Sequence, residues 1–355
     1  MRFAATFAGS LAVLFACGGS EDGGATSSPD TSWGGSNASG GNNVSGSSSG
    51  TTQGPPQPPC SEGGGTALLA EQGVATHTAI LDGDSIYAVT LSDSTKGLEA
   101  RIVRVPKNGG QPQTLLTTGV QGLHAALAVD GDDLYYARMP GLSTPGGIYR
   151  MPKTGGESTP VELEDSLLGS FVVDAESIYW GVSESTPQEV IIGLWRRAKA
   201  GGASERVFGS NFRGMIDNGA ELYLLDSSLT RVDKATKATS PLRSDAASTD
   251  VIMAAAVDAT DILFLNHPKG QIAKIPIGGG PDTVLDTMLT AYGDVAITAD
   301  AFYYAHSRNA GELWKAPRSG GAGAKLAHVS MPRSVLLDET SIYVAVDFGI
   351  CRFPR

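Results

Sequence analysis

Seven side chains equipped for binding or proton transfer lie scattered along this 355-residue chain: His77, His124, Arg213, Asp250, Tyr292, Asp294 and Arg333. His267 and His306 add two more imidazoles. Imidazoles converging with carboxylates are what a metal centre or a general base requires, and guanidinium groups grip anions. These residues are spread over most of the sequence, so only the fold can assemble them. Local motifs offer no shortcut, since the chain has no Cys-x-x-Cys, no His-Glu-x-x-His and no Gly-x-x-x-x-Gly-Lys. Asp130-Gly131-Asp132-Asp133 lacks the spaced ligands and closing glutamate of a calcium loop. It reads as a hairpin turn, as do its echoes Asp82-Gly83-Asp84 and Asp174-Ala175-Glu176.

The elements that must position these groups are announced by a repeat. An apolar run, an acidic turn, an Ile-Tyr-like strand, a variable loop and a further strand recur seven times, and five of the units go on to Pro-Lys-x-Gly-Gly or a close variant of it. The tyrosine-type strand appears as Ile86-Tyr87, Leu134-Tyr135-Tyr136, Ile178-Tyr179-Trp180, Leu222-Tyr223, Ile262-Leu263-Phe264, Phe302-Tyr303-Tyr304 and Ile342-Tyr343, at intervals of 40 to 48 residues. Four short strands per unit at that period predict an all-β, seven-bladed β-propeller, with six or eight blades as alternatives. In the second unit the strands fall at 124–129, 134–137, 147–151 and 160–163, named a to d from the channel outwards. The in-phase tyrosines are expected in the core between blades, with Trp195 and Trp314 in strand c. The fourth unit replaces the Pro-Lys turn by Asp233-Lys234-Ala235-Thr236-Lys237, which predicts a different turn and the least regular blade.

The last unit stops at Arg355, before its Gly-Gly turn and strand d, and the missing half stands at the other end: Ser61-Glu62-Gly63-Gly64-Gly65 and then Thr66–Ala70. An N-terminal outer strand therefore closes the last blade and leaves the ring without an open edge. Cys60 and Cys351 then fall in one blade and are expected to form a disulfide, as exported proteins allow.

Export is written at the start. Residues 1–16 combine Arg2 with an apolar stretch too short to span a bilayer, a signal peptide. Its end, Leu14-Phe15-Ala16-Cys17, resembles the bacterial lipoprotein signal, which implies cleavage before Cys17 and lipidation of that cysteine. Residues 17–59 follow as a tether. From Gly18 to Pro59 it holds 11 glycines, 10 serines and no Lys or Arg, a composition that cannot bury enough surface to order itself. Its r.m.s. reach is roughly 35 Å. With Gly18 after the cysteine, the resemblance points to the outer membrane. Residues 60–355 are the propeller.

On this register His77, His124, Arg213, Asp250, Tyr292, Asp294 and Arg333 reach the channel mouth, where the d–a and b–c loops share a face, with His267 and His306 in neighbouring b–c loops. A ligand pocket is one reading; polar residues solvating a loop-rich face is the other. No residue takes a catalytic or metal-ligating role and no cofactor is expected. A net charge of −11 argues against nucleic acid and against an anionic membrane surface as partners; the membrane is engaged through the lipid alone. The acidic turn followed by Ile-Tyr, as in Ser177-Ile178-Tyr179-Trp180-Gly181, resembles the repeats of the YWTD, NHL and TolB-like propellers. That resemblance implies the fold and the binding of proteins or carbohydrates by the loop face; here an envelope protein or a carbohydrate is the expected partner, and the module is expected to be a monomer. A hydrolase or lyase acting through a metal or polar site at the mouth is the alternative, and a purely structural spacer a third.

Overall fold

The computed structural model describes residues 60, 63–71, 74–94, 97–119, 122–123, 126–140, 145–163, 168–182, 192–243, 251–267, 269–287, 293–307 and 311–355. They form seven four-stranded antiparallel sheets. Blade 1 is β2 (Val74–Asp82), β3 (Ser85–Ser94), β4 (Gly97–Pro106) and β5 (Gln113–Gly119); blade 2 is β6 (Leu127–Asp130), β7 (Asp133–Arg138), β8 (Gly147–Pro152) and β9 (Thr159–Leu163). Blade 3 is β10 (Leu168–Val173), β11 (Ser177–Val182), β12 (Gly193–Ala198) and β13 (Glu205–Phe208); blade 4 is β14 (Gly214–Asn218), β15 (Glu221–Leu225), β16 (Leu229–Asp233) and β17 (Thr239–Arg243). Blade 5 is β18 (Val251–Val257), β19 (Asp261–His267), β20 (Gln271–Pro276) and β21 (Thr283–Thr287); blade 6 is β22 (Gly293–Ile297), β23 (Ala301–His306), β24 (Glu312–Pro317) and β25 (Ala324–His328). Blade 7 takes β26 (Ser334–Leu337), β27 (Ser341–Val346) and β28 (Gly349–Pro354) from the C-terminus and β1 (Thr66–Ala70) from the N-terminal side, in the order β1-β28-β27-β26. Each inner strand touches the next around the ring, and β26 touches β2. The protein is thus a seven-bladed β-propeller closed by an N-terminal outer strand, as the repeat predicts.

The core lies between blades. Tyr87, Tyr135, Tyr179, Tyr223, Tyr303 and Tyr343 are all buried in it, and each apolar cluster joins two adjacent blades, as Tyr303 with Val335 and Val344 does for blades 6 and 7. Every c–d ladder carries one β-bulge, a feature the sequence reading did not foresee. A bulge adds local twist, which a sheet spanning from axis to rim requires. Where strand c starts, Gly147, Gly193 and Gly349 adopt φ of 135°, 141° and 146°, with the carbonyl of the outer strand packed where a Cβ would stand. Only glycine fits both demands.

The acidic turn and the Lys of Pro-Lys-x-Gly-Gly prove to be two halves of one device. After each strand c, the backbone N–H of Lys107, Lys153, Lys199, Lys234, Ile277, Arg318 and Arg355 donates to the a–b turn of its own blade. The side chain then reaches the a–b aspartate of the preceding blade. Lys107 pairs with Asp338 at 3.3 Å, Lys153 with Asp82 at 2.6 Å, Lys199 with Asp130, Lys234 with Asp174 at 2.8 Å, Arg318 with Asp258, and Arg355 with Asp300 at 3.5 Å. Burial pushes the Asp258 carboxyl up, but Arg318 and the N–H groups of Thr260 and Asp261 outweigh it and hold the pKa at about 2. This ion-pair belt has a gap at blade 5, where Ile277 packs on the apolar cluster of blades 4 and 5 and Asp217 turns to Lys234 of its own blade at 2.7 Å.

The fourth blade departs from expectation. Its c–d turn differs, with Asp233 accepting from the N–H groups of Ala235 and Thr236 and Lys237 at φ 60°. Its sheet, however, is complete, and its a–b and b–c ladders run without a shift. A side-chain-capped turn replaces the Pro and Gly conformations without disturbing the strands it joins. The disulfide forms as expected between Cys60 and Cys351, with Cα atoms 5.5 Å apart.

Candidate functional site at the loop-bearing face

On the d–a and b–c face, those of the predicted residues that are among the described ones do not form one constellation. His77 and Arg333 come together where blades 1 and 7 meet. His77 sits at a bulge between Thr76 and Thr78 in the β2–β3 ladder, half-buried. Arg333 opens strand a of blade 7; its N–H donates to Ala345 O at 2.8 Å, and its Nε and Nη2 donate to Asp347 Oδ1 at 3.2 and 3.1 Å. Burial and then the Arg333 charge lower the His77 pKa, with Asp347 pulling the other way, so the imidazole is neutral near pH 7. Arg213 occupies the matching position of blade 4: its N–H donates to Leu225 O at 2.7 Å and its Nε to Asp226 at 3.2 Å. It is exposed, and three blades separate it from Arg333.

Asp294 corrects the expectation that it lines the mouth. It is 1 % exposed in the inner strand of blade 6, where Oδ1 accepts the N–H of Val295 at 2.9 Å and Oδ2 that of Val335 in blade 7 at 2.8 Å. The carboxyl staples two blades, and burial pushes its pKa up to about 7 against those two donors. Because the folded pKa exceeds the ordinary 3.8, the ionised form costs stability. The cost is absent below about pH 4, grows to about pH 7 and is constant above, on the order of 4 kcal/mol in total. Asp294→Asn carries no such dependence, so the stability difference between the two proteins is expected to shift by a few kcal/mol in favour of the variant from pH 4 to pH 8. Parallel urea-unfolding curves across that range would refute this.

His306 is also buried and faces Glu312 at 3.4 Å; Glu312 further accepts from Lys325 at 3.1 Å and Trp314 Nε1 at 3.0 Å. His267 is half-buried at the end of β19. His124, Asp250 and Tyr292 lie outside the described residues. Among the described residues no three His, Cys, Asp or Glu side chains converge as metal ligands. A groove of about 280 Å³ opens instead on the opposite face, between blades 2 and 3. Its cations are already engaged: Arg150 with Asp133, Lys199 with Asp130 and Arg197 with Glu162.

Two residues at the loop-bearing face escaped the sequence reading. Met331, 39 % exposed, and Phe348, 44 % exposed, are large apolar side chains beside Arg333 and Asp347. The Asp347 N–H donates to Ser330 O at 3.4 Å, which sets the two loops side by side, and Glu71 N–H donates to Phe348 O at 3.1 Å. Met331 adopts φ 46°, a left-handed conformation rare for a side chain of its kind. A positive φ outside glycine leaves no signature in sequence, which is why this residue was illegible.

No protein-family model matches this chain, and no curated protein matches it. Solved structures do. The structure titled "YCF48 bound to D1 peptide" superposes with a TM-score of 0.61 at 12 % identity, covering 82 % of this chain and 97 % of that one. A structure from an analysis of two prolyl endopeptidases gives a TM-score of 0.51 at 12 % identity over 76 % of this chain and 46 % of that one. TolB from Acinetobacter baumannii gives 0.48 at 14 % identity over 72 % and 63 %. At such identities the likeness of the first two is one of architecture: this chain shares the β-propeller fold and, by that measure, nothing narrower.

Proposed function

We propose that this protein is a lipid-tethered, non-enzymatic binding scaffold of the cell envelope. In this reading residues 1–16 are removed, Cys17 carries the lipid at the outer membrane, residues 17–59 are the tether, and the propeller from residue 60 onwards presents its loop-bearing face to a protein or carbohydrate partner. The observation that carries it is the pairing of exposed apolar side chains, Met331 and Phe348, with the Arg333–Asp347 ion pair on that face. Apolar anchors rimmed by charge are the usual composition of a recognition surface. The superposable YCF48 structure, by its title, holds a peptide, which supports a protein partner. The hydrolase or lyase alternative has no cluster of three metal ligands among the described residues to stand on.

The test has two arms. Cys17→Ser is expected to move the protein from the membrane to the soluble fraction, with loss of the lipid-bearing N-terminal peptide by mass spectrometry. Capture from envelope extract on the immobilised protein is expected to retain a specific component that a control protein of the same charge does not. A Cys17→Ser protein still at the membrane would refute the lipid anchor. Capture of nothing specific would refute the scaffold.

A further inference from the structure

We infer that the rim where blades 7 and 1 meet is a peptide-docking site, taking an extended segment that sets an apolar side chain against Met331 and Phe348 and a carboxylate against Arg333. The inference rests on the scaffold reading and names the partner's chemistry.

Among the described residues four large apolar side chains are exposed: Leu163, Val284, Met331 and Phe348. The first two stand on separate outer strands, β9 and β21. Met331 and Phe348 instead sit on adjoining loops of one blade, joined by the Asp347 to Ser330 hydrogen bond. Met331 is moreover held at φ 46°. Such a conformation is strained for a non-glycine residue, and strained backbone clusters at active sites, ligand clamps and switch regions.

The charge at the rim selects the rest of the ligand. Arg333 gives Nε and Nη2 to a single oxygen of Asp347, and Nη1 has no partner among the described residues. At His77 the Arg333 charge outweighs that of Asp347, so the field there is positive even with the ion pair formed. Nearby, Arg101 is taken by Glu71 at 2.5 Å. A carboxylate on the free edge of the guanidinium satisfies both the open donor and the field, whereas a cation meets repulsion. The chain's own first 59 residues join at Cys60, bonded to Cys351, beyond the end of β1 where Thr66 pairs with Arg352; the rim lies at the other end, where Ala70 pairs with Gly349. A partner's segment therefore has the more direct access.

The test is selection of short random peptides displayed on phage against the full-length protein in detergent. Enrichment of sequences with an apolar residue next to Asp or Glu is expected. Arg333→Gln and Phe348→Ser should each weaken the selected peptides about tenfold or more, while Arg150→Gln on the opposite face should not. Met331→Gly keeps the left-handed backbone and removes the side chain, so it separates lost contact from lost folding and should weaken binding too. Selected peptides that ignore these substitutions, or that pair apolar residues with Lys or Arg, would overturn the proposal. So would binding that appears only after Trp33→Ser, because the chain's own leader would then be the occupant. An envelope component captured equally well by Phe348→Ser and Arg333→Gln proteins would sink this site and leave the scaffold reading standing.

Discussion

Removing the Cys60–Cys351 disulfide as the double Ala variant is expected to lower the unfolding free energy by about 3–5 kcal/mol and to loosen β1 before any other strand. The bond closes a loop of 291 residues, for which the chain-entropy model gives roughly 6 kcal/mol, with measured values usually lower. It also fastens the closure at its weakest point. β1 is a five-residue edge strand with only Leu68 and Leu69 buried, and its ladder to β28 is broken by a bulge between Ala67 and Leu69. Without the bond nothing covalent keeps Thr66–Ala70 on blade 7, and the apolar cluster around Phe353 and Cys351 opens at its rim. Urea unfolding with and without reductant reads the free energy, and hydrogen exchange at Thr66–Ala70 reads the loosening. Unchanged protection there would mean that β-pairing alone closes the ring.

Lys234→Met is expected to cost about 3 kcal/mol, several times the loss from Lys107→Met in the same belt. Lys234 has a side chain only 8 % exposed, lies 2.8 Å from Asp174 and 2.7 Å from Asp217, and stands over the Tyr179 ring at 5.2 Å. Burial alone would lower its pKa, yet the two carboxylates raise it, so the ammonium is charged throughout the neutral range. Deleting it strands two partly buried carboxylates, the situation in which breaking an ion pair is most destabilising. Asp217, whose pKa burial already raises despite Lys234, then takes up a proton more readily. Lys107 is more exposed and faces Asp338 at 3.3 Å, a geometry worth about 1 kcal/mol or less. The sign with pH follows from Asp174, whose lowered pKa contributes stability above its ordinary 3.8 that is lost as pH falls through the folded value. Wild type and variant should therefore converge in acid. Equal urea midpoints at pH 7 for Lys234→Met and wild type would show that the belt contributes no net stability.

The contrast between Lys107 and Lys234 also marks the boundary between what a sequence displays and what it hides. Strands, hairpins and blade number were legible because they depend on neighbours within one unit: the run Ser177-Ile178-Tyr179-Trp180 forms the same strand wherever its blade sits. Closure by Thr66–Ala70 and the Cys60–Cys351 bond were legible too, because a missing strand at one end and a spare one at the other leave a single way to complete the count. The repeated Asp and Lys looked like turn chemistry alone. Their second role, bridging one blade to the next, joins residues 55 to 71 positions apart, or 231 for Lys107 and Asp338 where the ring closes, and exists only once the ring has brought those turns side by side.

The candidate site fared less well for the same reason. His77 and Arg333 meet at the seam of blades 1 and 7, but whether residues of different blades meet depends on radius and side-chain direction, which repeat spacing does not encode. Thus Arg333 found Asp347 in its own blade, Arg213, three blades from Arg333, found Asp226 in its own, and Asp294 turned inward to hold Val335. Met331 and Phe348 were invisible because exposure is a property of the assembled surface. The amino-acid sequence alone determined the propeller, its seven blades and the strand that closes it, since each follows from local periodicity and chain continuity. The tertiary structure decided which charges are spent between blades and which face outward, since burial and contact are set by neighbours that the sequence keeps far apart.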